Sequence, residues 1–186
     1  MNTEKPQNLL AAFNHWLQAV PEANAWVDAQ QSLSYRELED KSSVLAAKLA
    51  VLVGKPGDII VLHLQKGANM AVVKLGASYL CVEPDTPQAR LEQLLQDVAP
   101  ALVLTSSVVN CALLQTTRCI DYSQLPEAIP ISTFWGYHST PQTCACLFYT
   151  SGTTGKTKAV AISHQGILHM AWQPDYVTIA PGQGIG

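Results

Sequence analysis

Between Tyr149 and Lys158 the sequence reads Tyr-Thr-Ser-Gly-Thr-Thr-Gly-Lys-Thr-Lys, which packs five aliphatic hydroxyls, two glycines and two lysines into ten residues. Glycines let a backbone approach an anion closely and aim successive N–H groups at it. Hydroxyls add neutral donors and ammonium groups add charge. Together these suit a polyphosphate. A flexible polar surface loop has a similar composition, but it needs no apolar strand running straight into it, as Cys144–Tyr149 does here. The Walker A loop is a sharper rival, because Gly155-Lys156-Thr157 supplies its last three residues. That pattern requires glycine at position 150, which is Thr150. It also requires a helix directly after the loop to hold phosphate at its N-terminus. Lys158–Ile162 reads instead as a strand, with a helix beginning only at about Ser163 or His164. The loop is therefore expected to join two strands.

The elements that must position it can be read upstream. Leu33–Val53 reads as a helix, capped by Ser34 with Glu37 reaching back, and Leu38, Leu45, Leu49 and Leu52 share one face. Gly54, Pro56 and Gly57 end it. Ile59–Leu62 is a short continuous apolar run, the mark of a strand buried on both faces. A helix is expected over Asn69–Tyr79. Another opens at Thr86 and Pro87, with Leu91, Leu94, Leu95 and Val98 at helical spacing, and Pro100 stops it. Ala101–Thr105 is a second buried strand, and Asp121–Gln142 reads as irregular connection with room for one short strand. Strands alternating with helices predict an α/β fold with a mostly parallel sheet.

Three segments carry a family resemblance. YTSGTTGKTKAVAISHQGIL (Tyr149–Leu168) resembles the phosphate-binding signature of the adenylate-forming superfamily, which runs roughly YTSGTTGxPKGV followed by a strand and His. LSYREL (Leu33–Leu38) is similar to the L-[TS]-Y-x-E-L motif of the adenylation domains of nonribosomal peptide synthetases. Val72–Pro100 resembles their LKAGGAYVPLDPxYPxERLxxxLxDxxP, and its P-x-x-R-L run is closer to amino-acid activators than to acyl-CoA ligases. The resemblance implies that residues 1–186 are the N-terminal part of an AMP-binding adenylation domain, incomplete at the C-terminus. It implies the corresponding portion of the large domain, with the phosphate loop between two strands. It also implies that Thr150, Ser151, Gly152, Thr153, Thr154 and Gly155 hold the β- and γ-phosphates of ATP, with Lys158 as the loop lysine. The parent reaction would join an amino acid to AMP with release of pyrophosphate. The aminoacyl group would then pass to the phosphopantetheine thiol of a carrier protein. No catalytic residue is expected within these 186 residues, and the acidic Mg²⁺ ligand is expected outside them. The chain alone is expected to be inactive. An acyl-CoA or fatty-acyl-AMP ligase, and a non-catalytic remnant, stay open as alternatives.

The chain departs from the family pattern in three places. Thr157-Lys158-Ala159 replaces the usual Pro-Lys-Gly, and Cys81-Val82-Glu83-Pro84 replaces Pro-Leu-Asp-Pro. The stretch Leu64–Lys74 is short by about one to two helical turns. The last residues, Pro181–Gly186, offer no element to seal the fold and look cut.

Composition narrows the rest. Apolar residues make up 48% and charged residues 13%, with a net charge of −3, which suits a core-rich globular chain without a basic nucleic-acid surface. Lys74 interrupts the longest apolar run, so no membrane span is expected, and the N-terminus has no secretory pattern. Cys81, Cys111, Cys119, Cys144 and Cys146 form no CxxC pair and are read as reduced thiols in a cytoplasmic protein. Five histidines and four tryptophans are read as packing or capping groups, and Glu37 and Glu39 as a solvated face.

Overall fold

The computed structural model describes residues 5–27, 32–53, 55–64, 68–106, 117–130, 134–150 and 158–172. The chain opens with α1 (Leu9–Ala19), capped by Asn8, whose side chain accepts from Ala11 N–H. A small antiparallel pair follows, β1 (Asn24–Val27) with β2 (Ser32–Ser34), and then α2 (Tyr35–Leu49). The capping box is present as expected. Ser34 Oγ accepts from Glu37 N–H, while a Glu37 carboxylate oxygen accepts from Ser34 N–H at 2.8 Å. Leu33, expected inside the helix, sits in β2, because the cap must hold extended backbone just before the first turn.

The main sheet has six strands: β3 (Ile59–His63), β4 (Ser78–Cys81), β5 (Leu102–Thr105), β6 (Cys119–Asp121), β7 (Cys144–Thr150) and β8 (Lys158–Ser163). Their spatial order is β6-β5-β3-β4-β7-β8. All neighbouring pairs are parallel except β7 with β8. Helix α3 (Asn69–Lys74) links β3 to β4, and α4 (Gln88–Val98) links β4 to β5. The chain moves to opposite sides of β3 in these two steps, so right-handed crossovers put the helices on opposite faces. Two core clusters result. Ile60, Leu62, Leu102 and Leu104 pack with Leu45, Leu49 and Val72 on the α2–α3 face. Val61, Leu80 and Val103 pack with Leu91, Leu94 and Leu95 on the α4 face. Burying each such side chain contributes about 1.5–3 kcal/mol.

The helix expected over Asn69–Tyr79 is much shorter. It ends at Lys74, and Gly76 turns the chain at φ +68 so that Ser78–Cys81 can pair with β3. Lys74, which interrupts the apolar run in sequence, is fully buried. Its Nζ donates to Glu39 Oε1 at 2.6 Å and to Ser43 Oγ at 3.0 Å, and lies 5.2 Å from the centre of the Phe134 ring. Glu39 is therefore no free solvated carboxylate; it anchors α3 to α2. The irregular connection before β7 includes a 3-10 turn, Trp135–His138, that crosses α3. A Cβ on Gly136 would stand 2.0 Å from the Val73 carbonyl oxygen, so glycine is required there. The cysteine reading needs correction as well. Cys81, Cys144 and Cys146 are free, but Cys119 is disulfide-bonded.

Candidate functional site

Strands β7 and β8 form the antiparallel hairpin that carries the proposed phosphate loop. Their pairing runs from Cys146↔Ile162 to Thr150↔Lys158, so the two strand ends stand side by side where residues 151–157 connect them. A register shift between Cys144 and Cys146 interrupts the base of the hairpin. Thr150 closes β7 and Lys158 opens β8, with the lysine side chain exposed. Ser151, Gly152, Thr153, Thr154 and Gly155 lie outside the described residues.

The strand after the loop settles one alternative. Lys158–Ser163 is a strand, and α5 (His164–Ala171) begins only after it, so no helix N-terminus directly follows the loop. The Walker A geometry is absent here.

The hairpin hangs on the parallel sheet through β4, where Tyr79 pairs with Cys146 and Leu80 with Leu147. The loop therefore leaves from the same edge as the C-terminal ends of β3, β4 and β5. In open α/β sheets that edge is where ligands bind, beside the strands whose connections diverge to opposite faces. Here those strands are β3 and β4. His63 and Thr105 close the edge beneath it, with His63 Nδ1 3.2 Å from Thr105 Oγ1. Burial holds the His63 imidazole below its ordinary pKa, against a backbone hydrogen bond at Glu83 that works the other way.

At the root of the loop, Tyr149 packs on the α4 face. Its hydroxyl donates to Asp97 Oδ2 at 3.4 Å, and the Arg90 guanidinium carbon lies 5.5 Å from its ring centre. Burial raises the phenol pKa first, and the Asp97 charge and hydrogen bond add to it.

The far end of the hairpin is anchored differently. Ser163 caps α5 by accepting from Gly166 N–H at 3.1 Å. His164 is buried, and its Nδ1 accepts from Leu9 N–H at 3.3 Å, tying α5 to the start of α1. Trp16, Trp172 and His15 cluster nearby, with ring centres 5.2 to 6.0 Å apart, in agreement with a packing role. Among the described residues, no group of three or more His, Cys, Asp or Glu is placed to hold a metal ion.

A strand, a hydroxyl- and glycine-rich loop and a second strand, hung on a parallel sheet, make up the signature read in the sequence, and residues 13–182 match the family model described as AMP-binding enzyme. The chain belongs to the AMP-binding enzyme family. Relatives within it include tyrocidine synthase 2 of Brevibacillus parabrevis, 29% identical over 175 residues that cover 88% of this chain and 5% of that protein. The solved structure of PA1221, an NRPS protein containing adenylation and PCP domains, matches with a TM-score of 0.80 at 23% identity, covering 97% of this chain and 37% of that one. The Klebsiella oxytoca NpsA N-terminal subdomain in complex with 3-hydroxybenzoyl-AMSN matches with a TM-score of 0.72 at 23% identity, covering 87% of this chain and 42% of that one. At such identities the two solved structures establish the fold of this AMP-binding chain. The chain spans well under half the length of each protein it matches here.

Sequence reasoning found the two strands of the hairpin but missed Arg90 and Asp97 as partners of Tyr149. Arg90 and Asp97 lie about two helical turns apart on α4, a spacing that places them on one face. Nothing local to Tyr149 announced that this face would meet β7.

Proposed function

We propose that this chain supplies the pyrophosphate-facing part of an amino-acid adenylation domain. The parent reaction joins an amino acid and ATP into aminoacyl-AMP with release of pyrophosphate, and the aminoacyl group then passes to a carrier-protein thiol. The observation that supports this reading is the β7–β8 hairpin, whose paired ends Thr150 and Lys158 lie on the side of the sheet where open α/β sheets bind ligands. Support for the amino-acid branch comes from relatives such as tyrocidine synthase 2, and from PA1221, whose name couples an adenylation domain to a PCP domain. The NpsA subdomain, held with an AMSN ligand, supports an adenylate-type product. We take residues 1–186 to correspond to the N-terminal part of such a domain, acting in the cytoplasm. No helix among the described residues is long and apolar enough to cross a membrane.

The chemistry assigned to this chain is positioning and charge stabilisation. Thr150, Ser151, Thr153 and Thr154 offer hydroxyl donors, Gly152 and Gly155 let backbone N–H groups approach, and Lys158 adds an ammonium at the loop exit. These groups would hold the β- and γ-phosphates in line as the substrate carboxylate attacks the α-phosphorus and pyrophosphate departs. Mg²⁺ would neutralise part of that charge, but the described residues supply no donor set for it, so no step is assigned to it here.

In a protein that carries this chain within a whole adenylation domain, changing Thr153 and Thr154 to Ala should lower amino-acid-dependent pyrophosphate exchange. Loss of even one preorganised donor costs on the order of 10²-fold in rate. Exchange at the unaltered rate, with the fold intact by circular dichroism, would remove the loop from the mechanism.

A further inference from the structure

Tyr149 stands one residue before the end of β7, and two charged groups of α4 bracket it. Arg90 lies over the ring with its guanidinium carbon 5.5 Å from the ring centre. Asp97 accepts from the phenol hydroxyl at 3.4 Å. Both charged side chains come from one face of α4, about two turns apart. Helix α4 is itself fixed to the sheet by Leu91, Leu94 and Leu95, which are buried against Val61, Leu80 and Val103. Tyr149 is thus held to a rigid helix at both its face and its tip.

The position of that clamp matters. Tyr149 pairs with Ala159, and the next pair, Thr150↔Lys158, is the last before the strands part. Beyond the parallel sheet, β8 gives the hairpin little packing, since its first four residues are exposed. Phe148 and Val160, opposite each other on the other face, are also exposed, at 54% and 44%. The direction in which β7 delivers the chain to the loop therefore depends on the α4 side, where Leu147 and Tyr149 pack.

We propose that Arg90 and Asp97 are positioning residues for phosphate binding, acting through Tyr149 to set how the loop leaves β7. This rests on the phosphate reading of the loop. Arg90 contributes by holding the aromatic face, an attraction of the cation for the ring quadrupole, and Asp97 by fixing the ring's rotation through the hydroxyl. Neither group is assigned a contact with phosphate.

The test titrates inorganic pyrophosphate into the chain and reads the dissociation constant from amide chemical shifts. Thr153→Ala/Thr154→Ala tests the phosphate reading by itself. If the unaltered chain gives no saturable shifts, or if that double variant binds as well as the unaltered chain, the phosphate reading fails and this inference falls with it. With that reading intact, Arg90→Ala should weaken binding by about two- to fivefold, the size of one exposed cation–π contact. Arg90→Lys should keep affinity within about twofold, because lysine also places a cation over the ring. In a Tyr149→Leu background, Arg90→Ala should have no further effect, since the ring through which it acts is gone. Tyr149→Phe, which keeps the ring and removes the hydroxyl, tests the Asp97 arm and should weaken binding by a similar small factor. Two results would overturn the proposal while leaving the phosphate reading standing. One is unchanged affinity in both Arg90→Ala and Tyr149→Phe. The other is a full Arg90→Ala effect in the Tyr149→Leu background, which would mean that Arg90 acts on the anion by its own charge.

Discussion

The centre of the sheet and its β7–β8 end are built from similar apolar strands and yet sit in opposite environments. β5 is buried at every position, and β3 at all but its first, whereas the first four residues of β8 are exposed. The difference lies in what covers them. Helices α2 and α3 cover one face of the centre and α4 the other, while the hairpin rests on one neighbour, β4, and on the Tyr149 side of α4. The centre holds the fold, and the hairpin carries the segment to which we assign phosphate binding. Stability and function should therefore be separable by mutation.

The largest expected effect is at the buried ion pair behind the centre. Glu39→Ala leaves the Lys74 ammonium buried without its carboxylate, and a buried pair broken in this way costs about 3–5 kcal/mol. Lys74→Met should cost less, because the Glu39 side chain is partly exposed and its Oε1 still accepts from Ser43 Oγ at 2.9 Å. Chemical denaturation of the two variants checks the asymmetry, and equal losses would mean that the pair is not held as described. Next in size is Leu104→Ala in β5, expected to cost about 2–5 kcal/mol through transfer and cavity terms. Val160→Ala on the hairpin should stay within about 0.5 kcal/mol, as surface changes usually do. A comparable loss at Val160 would show that the hairpin is covered after all.

A smaller effect joins the two regions through pH. His164 and His63 both have imidazoles held below the ordinary value of 6.5 by burial. At His164 the position at the start of α5 further disfavours a cation, and Nδ1 must stay unprotonated to accept from Leu9 N–H. The unfolded chain binds these protons more readily than the folded one. Their contribution is thus fully present above pH 6.5 and is lost as pH falls below it. His164→Gln, which can still accept from Leu9, should make the acid side of a melting-temperature profile shallower. A profile equally steep in that variant would assign the acid sensitivity elsewhere. Ser34→Ala, which removes the α2 cap, should cost about 1 kcal/mol and leave ligand binding untouched.

What the sequence made legible follows the same division. Cys144–Tyr149, the loop, Lys158–Ile162 and the helix after it were readable because sharp changes in polarity separate them. The α3–β4 boundary was not, since Ala71 to Leu80 is almost continuously apolar and suits a helix or a buried strand equally. Only Gly76, at φ +68, marks the break, and glycine within an apolar run does not announce a positive φ. The Lys74–Glu39 pair spans 35 positions, and the Tyr149–Asp97 contact spans 52. Such non-local pairings leave no periodic trace. The loop residues are singled out by type and family pattern alone, whereas the groups that pack against Tyr149 were visible only as a helix face.

The most direct test of the hairpin's role compares tripolyphosphate with ATP on this chain by calorimetry, with and without Thr153→Ala/Thr154→Ala. A site that grips only the pyrophosphate end should bind both ligands alike, at roughly millimolar strength, because base and ribose gain no contacts. The double variant should weaken both together while the melting temperature holds. ATP binding far more tightly than tripolyphosphate, or binding of either that ignores the two threonines, would contradict the assignment of the loop as a phosphate cradle.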